Sequence, residues 1–321
     1  AQYMAPLRYA ALPMPDLSID LAGIRLGSPL IAASGTAGYG PELASVDQLR
    51  GLGAVTTKSI TLEPREGNPA MRVTDLPVGM LNAVGLANVG LDAFVTNVAM
   101  KIRDLPIPAI GSIAGETIDE YEQVAAAMQA MTFFKAVEVN ISCPNTDDGR
   151  VFAESPEKLR DLLVDIRGVL KNTAMIVKLP LDFGHPSRAA EVAVEAGADA
   201  LTLINTVPGM SIDVKTRRSR LGRFSGGTSG PAIHSFAVRM VADVYREVAS
   251  PAGIPIIGLG GVMRWQDAAE FILVGATAVG IGTALFVDPR RPRKIVKGLR
   301  KWVAAQGCDS IRDLVGAVEV A

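Results

Sequence analysis

The sequence predicts an α/β protein, a closed barrel of eight parallel strands alternating with helices, the (β/α)8 or TIM barrel. Three observations predict it. Short β-rich apolar runs recur at 29–34, 54–60, 108–113, 136–141, 174–179, 200–205, 255–259 and 278–282. Most are followed by a longer stretch of helical period, and that alternation implies parallel strands joined by crossover helices. The helix exits repeat one phrase before the next strand, Leu52-Gly53-Ala54, Ala196-Gly197-Ala198 and Val274-Gly275-Ala276. A glycine there is expected to take the left-handed conformation that ends a helix, so the turns at that end are short. By contrast, two connections that follow strands, 61–90 and 207–230, are long, polar and glycine-rich. Elaboration gathered at one end of the sheet fits a barrel whose active site lies at the C-terminal ends of its strands. A doubly wound open sheet is the alternative arrangement of the same elements.

Local signals place the helices. Thr117 and Glu120 form a capping box ahead of an apolar run, and Ser155 with Pro156 supplies an N-cap followed by proline at the first helical position. The uncharged run 271–287 approaches the length of a spanning helix, but Gly275, Gly280 and Gly282 divide it into a helix end, a turn and a buried strand. No linker-like tract divides the chain. We expect one barrel domain over 17–321, with 1–16 as an appendage interrupted by Pro6, Pro13 and Pro15 and unlike a secretory signal.

Composition narrows the function. Lys plus Arg total 32 against 33 Asp plus Glu, a net charge of −1, which removes the electrostatic footprint of a nucleic-acid binder. Hydrophobic residues at 49% and charged ones at 20% suit a globular interior and not a disordered chain. Two cysteines, Cys143 and Cys308, exclude a disulfide framework and any zinc or iron–sulfur site needing four thiolates from this chain. A reducing, cytoplasmic location fits, with no membrane attachment and no metal.

The chemistry is expected at the strand ends. The seventh and eighth strands end in Gly258-Leu259-Gly260-Gly261 and Gly280-Ile281-Gly282-Thr283. One such glycine pair could merely relieve crowding, but two on neighbouring strands let backbone N–H groups approach an anion, the recurrent phosphate site of such barrels. Gly226-Gly227-Thr228-Ser229-Gly230 leads into Pro231 and could close over the same phosphate. The fourth strand ends in Asn140-Ile141-Ser142-Cys143-Pro144-Asn145, where two carboxamides bracket a thiol. Carboxamides offer both donors and acceptors and so suit an amide-rich planar ligand. A cysteine alone is more often a small buried filler, but this one has polar company at a strand end. Lys58 and Lys178 stand in otherwise apolar strands and are costly without anionic partners. An anionic ligand would supply one, and Glu138 could be a buried structural partner for Lys178. Asn205 and Thr206 end the sixth strand. His185 and His234 are given no role.

Together these residues resemble the class 1 dihydroorotate dehydrogenases, FMN-dependent (β/α)8 barrels of pyrimidine biosynthesis. The resemblance runs from about residue 17 to the C-terminus. It rests on Ala33-Ser34-Gly35-Thr36, Thr57-Lys58-Ser59, Gly79-Met80-Leu81-Asn82-Ala83-Val84-Gly85-Leu86, the segment from Asn140 to Asn145, Lys178, Asn205-Thr206, Gly260-Gly261 and Gly282-Thr283. Cysteine at 143 separates it from class 2 relatives, which carry serine there and a membrane-associating N-terminal extension not expected here.

The resemblance implies that the phosphate is that of FMN, held by Gly230, Gly260, Gly261, Gly282 and Thr283. It assigns the rest of the flavin to Ser34, Lys58, Ser59, Asn140, Lys178 and Ile204. Dihydroorotate would be gripped by Lys58, Asn82, Ala83, Val84, Gly85, Leu86, Asn140, Asn145, Asn205 and Thr206. The family removes a proton from C5 and passes a hydride from C6 to flavin N5, with Cys143 as the implied general base. Because an unperturbed thiol is only a few per cent thiolate at neutral pH, flavin reduction is expected to quicken as pH rises. One position departs from the family: Ser112 stands where an asparagine usually reaches the flavin, and it is carried as a contact that a water could bridge.

Asn205-Thr206 and Gly67-Asn68-Pro69 look more like class 1B, whose members pass electrons to NAD through a second subunit carrying FAD and a [2Fe–2S] cluster. The alternative is class 1A, a homodimer that uses fumarate. A homodimeric core is expected in either case. Rival readings are a dihydropyrimidine dehydrogenase-like enzyme, a dihydrouridine synthase-like enzyme acting on tRNA, and a non-catalytic barrel that binds a phosphate ligand.

Overall fold

The computed structural model describes residues 14–141, 152, 155–182 and 187–319. Eight parallel strands close into a barrel: β1 (Leu30–Ala32), β2 (Ala54–Thr56), β3 (Ala109–Ile113), β4 (Ala136–Asn140), β5 (Ala174–Leu179), β6 (Ala200–Leu203), β7 (Ile256–Leu259) and β8 (Ala278–Ile281). Each of the eight expected runs contains one of them. β8 pairs with β1 through Gly280 opposite Ile31, so the sheet has no edge and the open doubly wound arrangement does not apply. The strands are buried on both faces, which is why they read as near-continuous apolar runs rather than alternating ones.

Helices α1 (Pro41–Asp47), α2 (Leu91–Asn97), α3 (Ala99–Arg103), α4 (Ile118–Ala130), α5 (Pro156–Val169), α6 (Arg188–Glu195), α7 (His234–Val244), α8 (Trp265–Leu273), α9 (Ala284–Val287) and α10 (Arg291–Ala305) follow the strands. Thr117 and Ser155 cap α4 and α5 by accepting from the N–H groups of Glu120 and Lys158. The α4 box is displaced by one residue: the Glu120 carboxylate accepts from the N–H of Glu116 at 2.6 Å instead of that of Thr117. The run 271–287 divides into the end of α8, β8 and α9. No described helix is long and apolar enough to cross a membrane.

The αβ turns need one correction. Gly197 and Gly275 do take positive φ, 90° and 113°, but Gly53 does not. There the left-handed cap of the helix is Gln48, at φ 52°, followed by Leu49 at 56° and Gly51 at 88°, and Gly53 is small for another reason. A Cβ on it would lie 2.0 Å from the Ser28 carbonyl oxygen. That carbonyl belongs to the chain entering β1, beside an N-terminal hairpin of Ile19–Leu21 and Ile24–Leu26. Leu17, Ile19, Leu21 and Leu26 of this region join the main apolar core, and Asp16 bridges to Ser310 near the chain end.

The two long connections are not independent loops. Val207–Gly209, Gly226–Ser229, Gly79–Asn82 and Val73–Leu76 form one antiparallel four-stranded sheet in that order. Gly227 pairs with Asn82 across it, and a small apolar cluster of Leu81, Ala83 and Leu221 stabilises it. This sheet stands against the C-terminal ends of the barrel strands and supplies one wall of the site.

Candidate functional site

A cavity of about 250 Å³ opens at the C-terminal ends of the strands. Its floor carries charge. Lys178 on β5 lies opposite Asn140 on β4 in the sheet register, and Glu138 is two residues before Asn140, hence on the same face of its strand. The Lys178 ammonium is 3.9 Å from Glu138 Oε1, with both side chains less than a tenth exposed. The Thr202 hydroxyl of β6 donates to Glu138 Oε2 at 3.0 Å, whereas Oε1 has no hydrogen bond. Lys178 makes no hydrogen bond with any described residue, so its three N–H donors are available to whatever fills the cavity. The expected Glu138–Lys178 pairing is therefore present.

Carboxamides surround this lysine. Asn205 donates from Nδ2 to Asn140 Oδ1 at 3.1 Å, which commits the Asn140 oxygen and leaves its amide protons for a ligand. The Thr206 N–H donates to Asn205 Oδ1 at 2.8 Å. Across the cavity, Asn82 donates to the Gly227 carbonyl at 3.1 Å and keeps its own oxygen as an acceptor. Lys58, just past the end of β2, is half-buried at the same end. Burial chiefly, and the Arg72 guanidinium next, hold its ammonium below the usual lysine range, with Glu42 opposing them. An anionic ligand would relieve that cost.

Three hydroxyls form a triangle on the opposite side. Ser59 and Ser112 lie 2.8 Å apart, and Ser34 donates to Ser112 at 3.3 Å. Ser34 and Ser59 line the cavity, but Ser112 does not: it is fully buried behind them, its N–H held by the Thr57 hydroxyl at 3.0 Å. Ser112 thus stands behind the two serines that face the cavity and hydrogen-bonds with both. Gly230, Gly260, Gly261, Gly282 and Thr283 also line the cavity, with Gly230 close to both Gly261 and Thr283 in a glycine corner. The Thr283 hydroxyl donates to Ser229 Oγ at 2.8 Å, tying β8 to the mouth sheet.

The dihydroorotate dehydrogenase family model matches residues 16–303. The chain is 42% identical over 309 residues to the dihydroorotate dehydrogenase B (NAD(+)) catalytic subunit of Geobacter sp. strain M21, covering 95% of this chain and 99% of that one. It is 43% identical over 306 residues to the protein of the same description from Trichlorobacter lovleyi, again covering 95% and 99%. The chain belongs to the dihydroorotate dehydrogenase family. The backbone agrees: DHODH of Eimeria tenella, crystallised with ferulenol, superposes with a TM-score of 0.81 at 22% identity over 98% of this chain and 91% of that one, a likeness of fold.

Most residues that the resemblance assigned to a dihydroorotate dehydrogenase site converge on this one cavity. Ser34, Lys58, Ser59, Asn82, Val84, Gly85, Leu86, Asn140, Lys178, Ile204, Asn205 and Thr206 all line it, together with the five residues of the glycine corner. Ala83 does not. Just past the strand Gly79–Asn82, it packs with Leu81 and Leu221 in the small apolar cluster instead. Cys143 and Asn145, and with them His185, lie outside the described residues.

Several lining residues were missed. Gly35 and Thr36 directly follow Ser34, and Val262 and Met263 follow Gly261, so adjacency alone would have found them. Met80 and Val73 line the wall because Gly79–Asn82 and Val73–Leu76 are strands, and Met80 shares a face with Asn82. Phe286, largely exposed on α9, had no signal in the sequence. His234 was given no role, yet its Nδ1 lies 2.8 Å from the Gly260 carbonyl oxygen.

Proposed function

We propose that this protein oxidises dihydroorotate to orotate with FMN as its cofactor and Cys143 as general base. The observation that carries the reading is the single cavity lined at once by Lys58, Lys178, Asn82, Asn140 and Asn205 and by Gly230, Gly260, Gly261, Gly282 and Thr283. Family membership supports it, as do the relatives described as dihydroorotate dehydrogenase B catalytic subunits.

The residues fit a phosphate-bearing flavin. The Gly261 N–H has no acceptor among the described residues, as an anion-binding amide requires. The buried Lys178 ammonium, without a hydrogen bond, suits the edge of an isoalloxazine on which negative charge develops. When bound, the flavin supplies the acceptor for the hydride that leaves C6. The chain's own part is to bind, orient and move the proton. Lys58 pairs with the orotate carboxylate, and Asn82, Asn140, Asn145, Asn205 and Thr206 match the donor and acceptor edges of the ring. Cys143, three residues past the cavity-lining Asn140, takes the proton from C5.

The relatives described as NAD(+) catalytic subunits support a partner subunit for electron transfer; the resemblance to class 1B gives that partner FAD and a [2Fe–2S] cluster, around a homodimeric core in the cytoplasm. The test is an anaerobic absorbance spectrum of the purified protein before and after dihydroorotate. Bleaching of the flavin bands by dihydroorotate but not by dihydrouracil is expected. A protein that takes up no flavin, or bleaches with dihydrouracil instead, overturns the reading. Direct turnover with fumarate by the isolated chain would move the acceptor to the class 1A type.

A further inference from the structure

We infer that His234 is a positioning residue for phosphate recognition, acting through the carbonyl of Gly260. The inference rests on the phosphate-bearing ligand proposed above. His234 opens α7, four residues after Gly230, and its Nδ1 is 2.8 Å from the Gly260 oxygen. A carbonyl only accepts, so Nδ1 carries the proton in this contact. The Gly260–Gly261 peptide is trans, and in a trans peptide the C=O and the following N–H point in opposite directions. Drawing the carbonyl toward His234 therefore turns the unclaimed Gly261 N–H the other way, to the side of the peptide opposite the ring. Both glycines line the cavity.

Gly261 is held too closely to find this orientation by chance. Its φ is +71°, and a Cβ on it would lie 2.7 Å from His234 Cβ and 2.8 Å from the Gly230 oxygen. The ring packs edge-on to Phe271 at 5.2 Å between centroids, and its Nε2, 3.3 Å from Glu270 Oε2, makes no hydrogen bond. His234, Asp267 and Glu270 are close enough to suggest a metal site, but both Asp267 oxygens are committed to the N-terminus of α8, accepting from the Met263 and Arg264 N–H groups and from the Arg264 side chain. Asp267 thus serves the helix start, and the contact that sets the imidazole is the one from Nδ1 to Gly260.

Asparagine places an N–H where histidine has Nδ1, and glutamine places one where it has Nε2, so the two separate the Gly260 contact from the Glu270 contact. Dissociation constants for FMN and for riboflavin are measured by fluorescence on flavin-depleted full-length protein. Wild type is expected to prefer FMN. His234→Ala and His234→Gln are expected to lose about tenfold in FMN affinity with riboflavin unchanged, while His234→Asn and Glu270→Gln stay within about twofold of wild type. An unchanged FMN preference in the alanine and glutamine variants overturns the inference, as does an asparagine variant no better than glutamine or a parallel loss for riboflavin. Should the alanine variant fail to fold, the asparagine–glutamine pair decides. Equal affinity of wild type for the two flavins overturns the phosphate reading itself, and this inference with it.

Discussion

Lys178 and Glu138 face each other from neighbouring strands inside the barrel, with 3.9 Å between Nζ and Oε1 and solvent excluded from both. Each pays for the other's burial, but neither uses its full hydrogen-bonding capacity on the partner: Oε1 accepts no hydrogen bond, and the ammonium makes none with a described residue. The pair is thus a charge-balanced mount that leaves the lysine free to meet a ligand.

Removing the carboxylate strands that charge. Glu138→Leu is expected to destabilise the protein by about 3 kcal/mol, because a buried ammonium is left uncompensated. Denaturant unfolding checks this. Glu138→Gln, which keeps an acceptor for Thr202, should cost less, and equal stability of both variants with wild type would remove the pair from the stability of the barrel.

Lys58 should confer an alkaline limit on orotate binding. Its ammonium is held below the usual range in the folded chain, so between the lowered and the ordinary value the unfolded chain binds more protons, and stability from this group rises with pH. Orotate binding has the opposite sign, since the carboxylate favours the charged lysine. Affinity should fall as pH climbs through the lowered value, at a lower pH than an ordinary lysine would give. Titration of orotate into the oxidised enzyme across the alkaline range reads the effect, which should disappear in Lys58→Met together with about tenfold or more of the neutral-pH affinity.

Cys143→Ala should slow flavin reduction by dihydroorotate at least about a hundredfold, the usual contribution of a positioned base, with orotate affinity little changed. Stopped-flow bleaching measures the first and equilibrium titration the second. A variant that keeps most of its reduction rate takes the thiol out of the mechanism.

Gly275→Ala should damage the fold and spare the site. Its φ is +113° and an added Cβ would lie 2.0 Å from the Tyr245 ring, so a loss of about 2 kcal/mol or more is expected. Thermal unfolding should register it, while the flavin and orotate affinities of the folded fraction stay at wild-type values.

The barrel was legible because its signals are local. A strand buried on both faces must be an apolar run, and a chain that must cross over between parallel strands alternates such short runs with stretches of period 3.6, so each of the eight strands could be found without its neighbours. Lysines and a glutamate within such runs were legible for the same reason: a charge in an apolar strand needs a partner wherever the strand goes. The glycine phrase misled at Gly53, where the tight contact is with a carbonyl in another part of the chain.

The sequence by itself determined the fold class, the family and most of the residues that meet in the cavity, since each follows from composition or order along the chain. Only the tertiary structure decided that 61–90 and 207–230 share one sheet, that Ser112 stands behind Ser34 and Ser59, that Ala83 turns away, and that His234 grips Gly260. The reason is range. Asn82 and Gly227 are 145 residues apart, and two polar, glycine-rich segments carry no pattern that names the other as partner; closure of the barrel brings their anchor points together and leaves the backbone hydrogen bonds to do the rest.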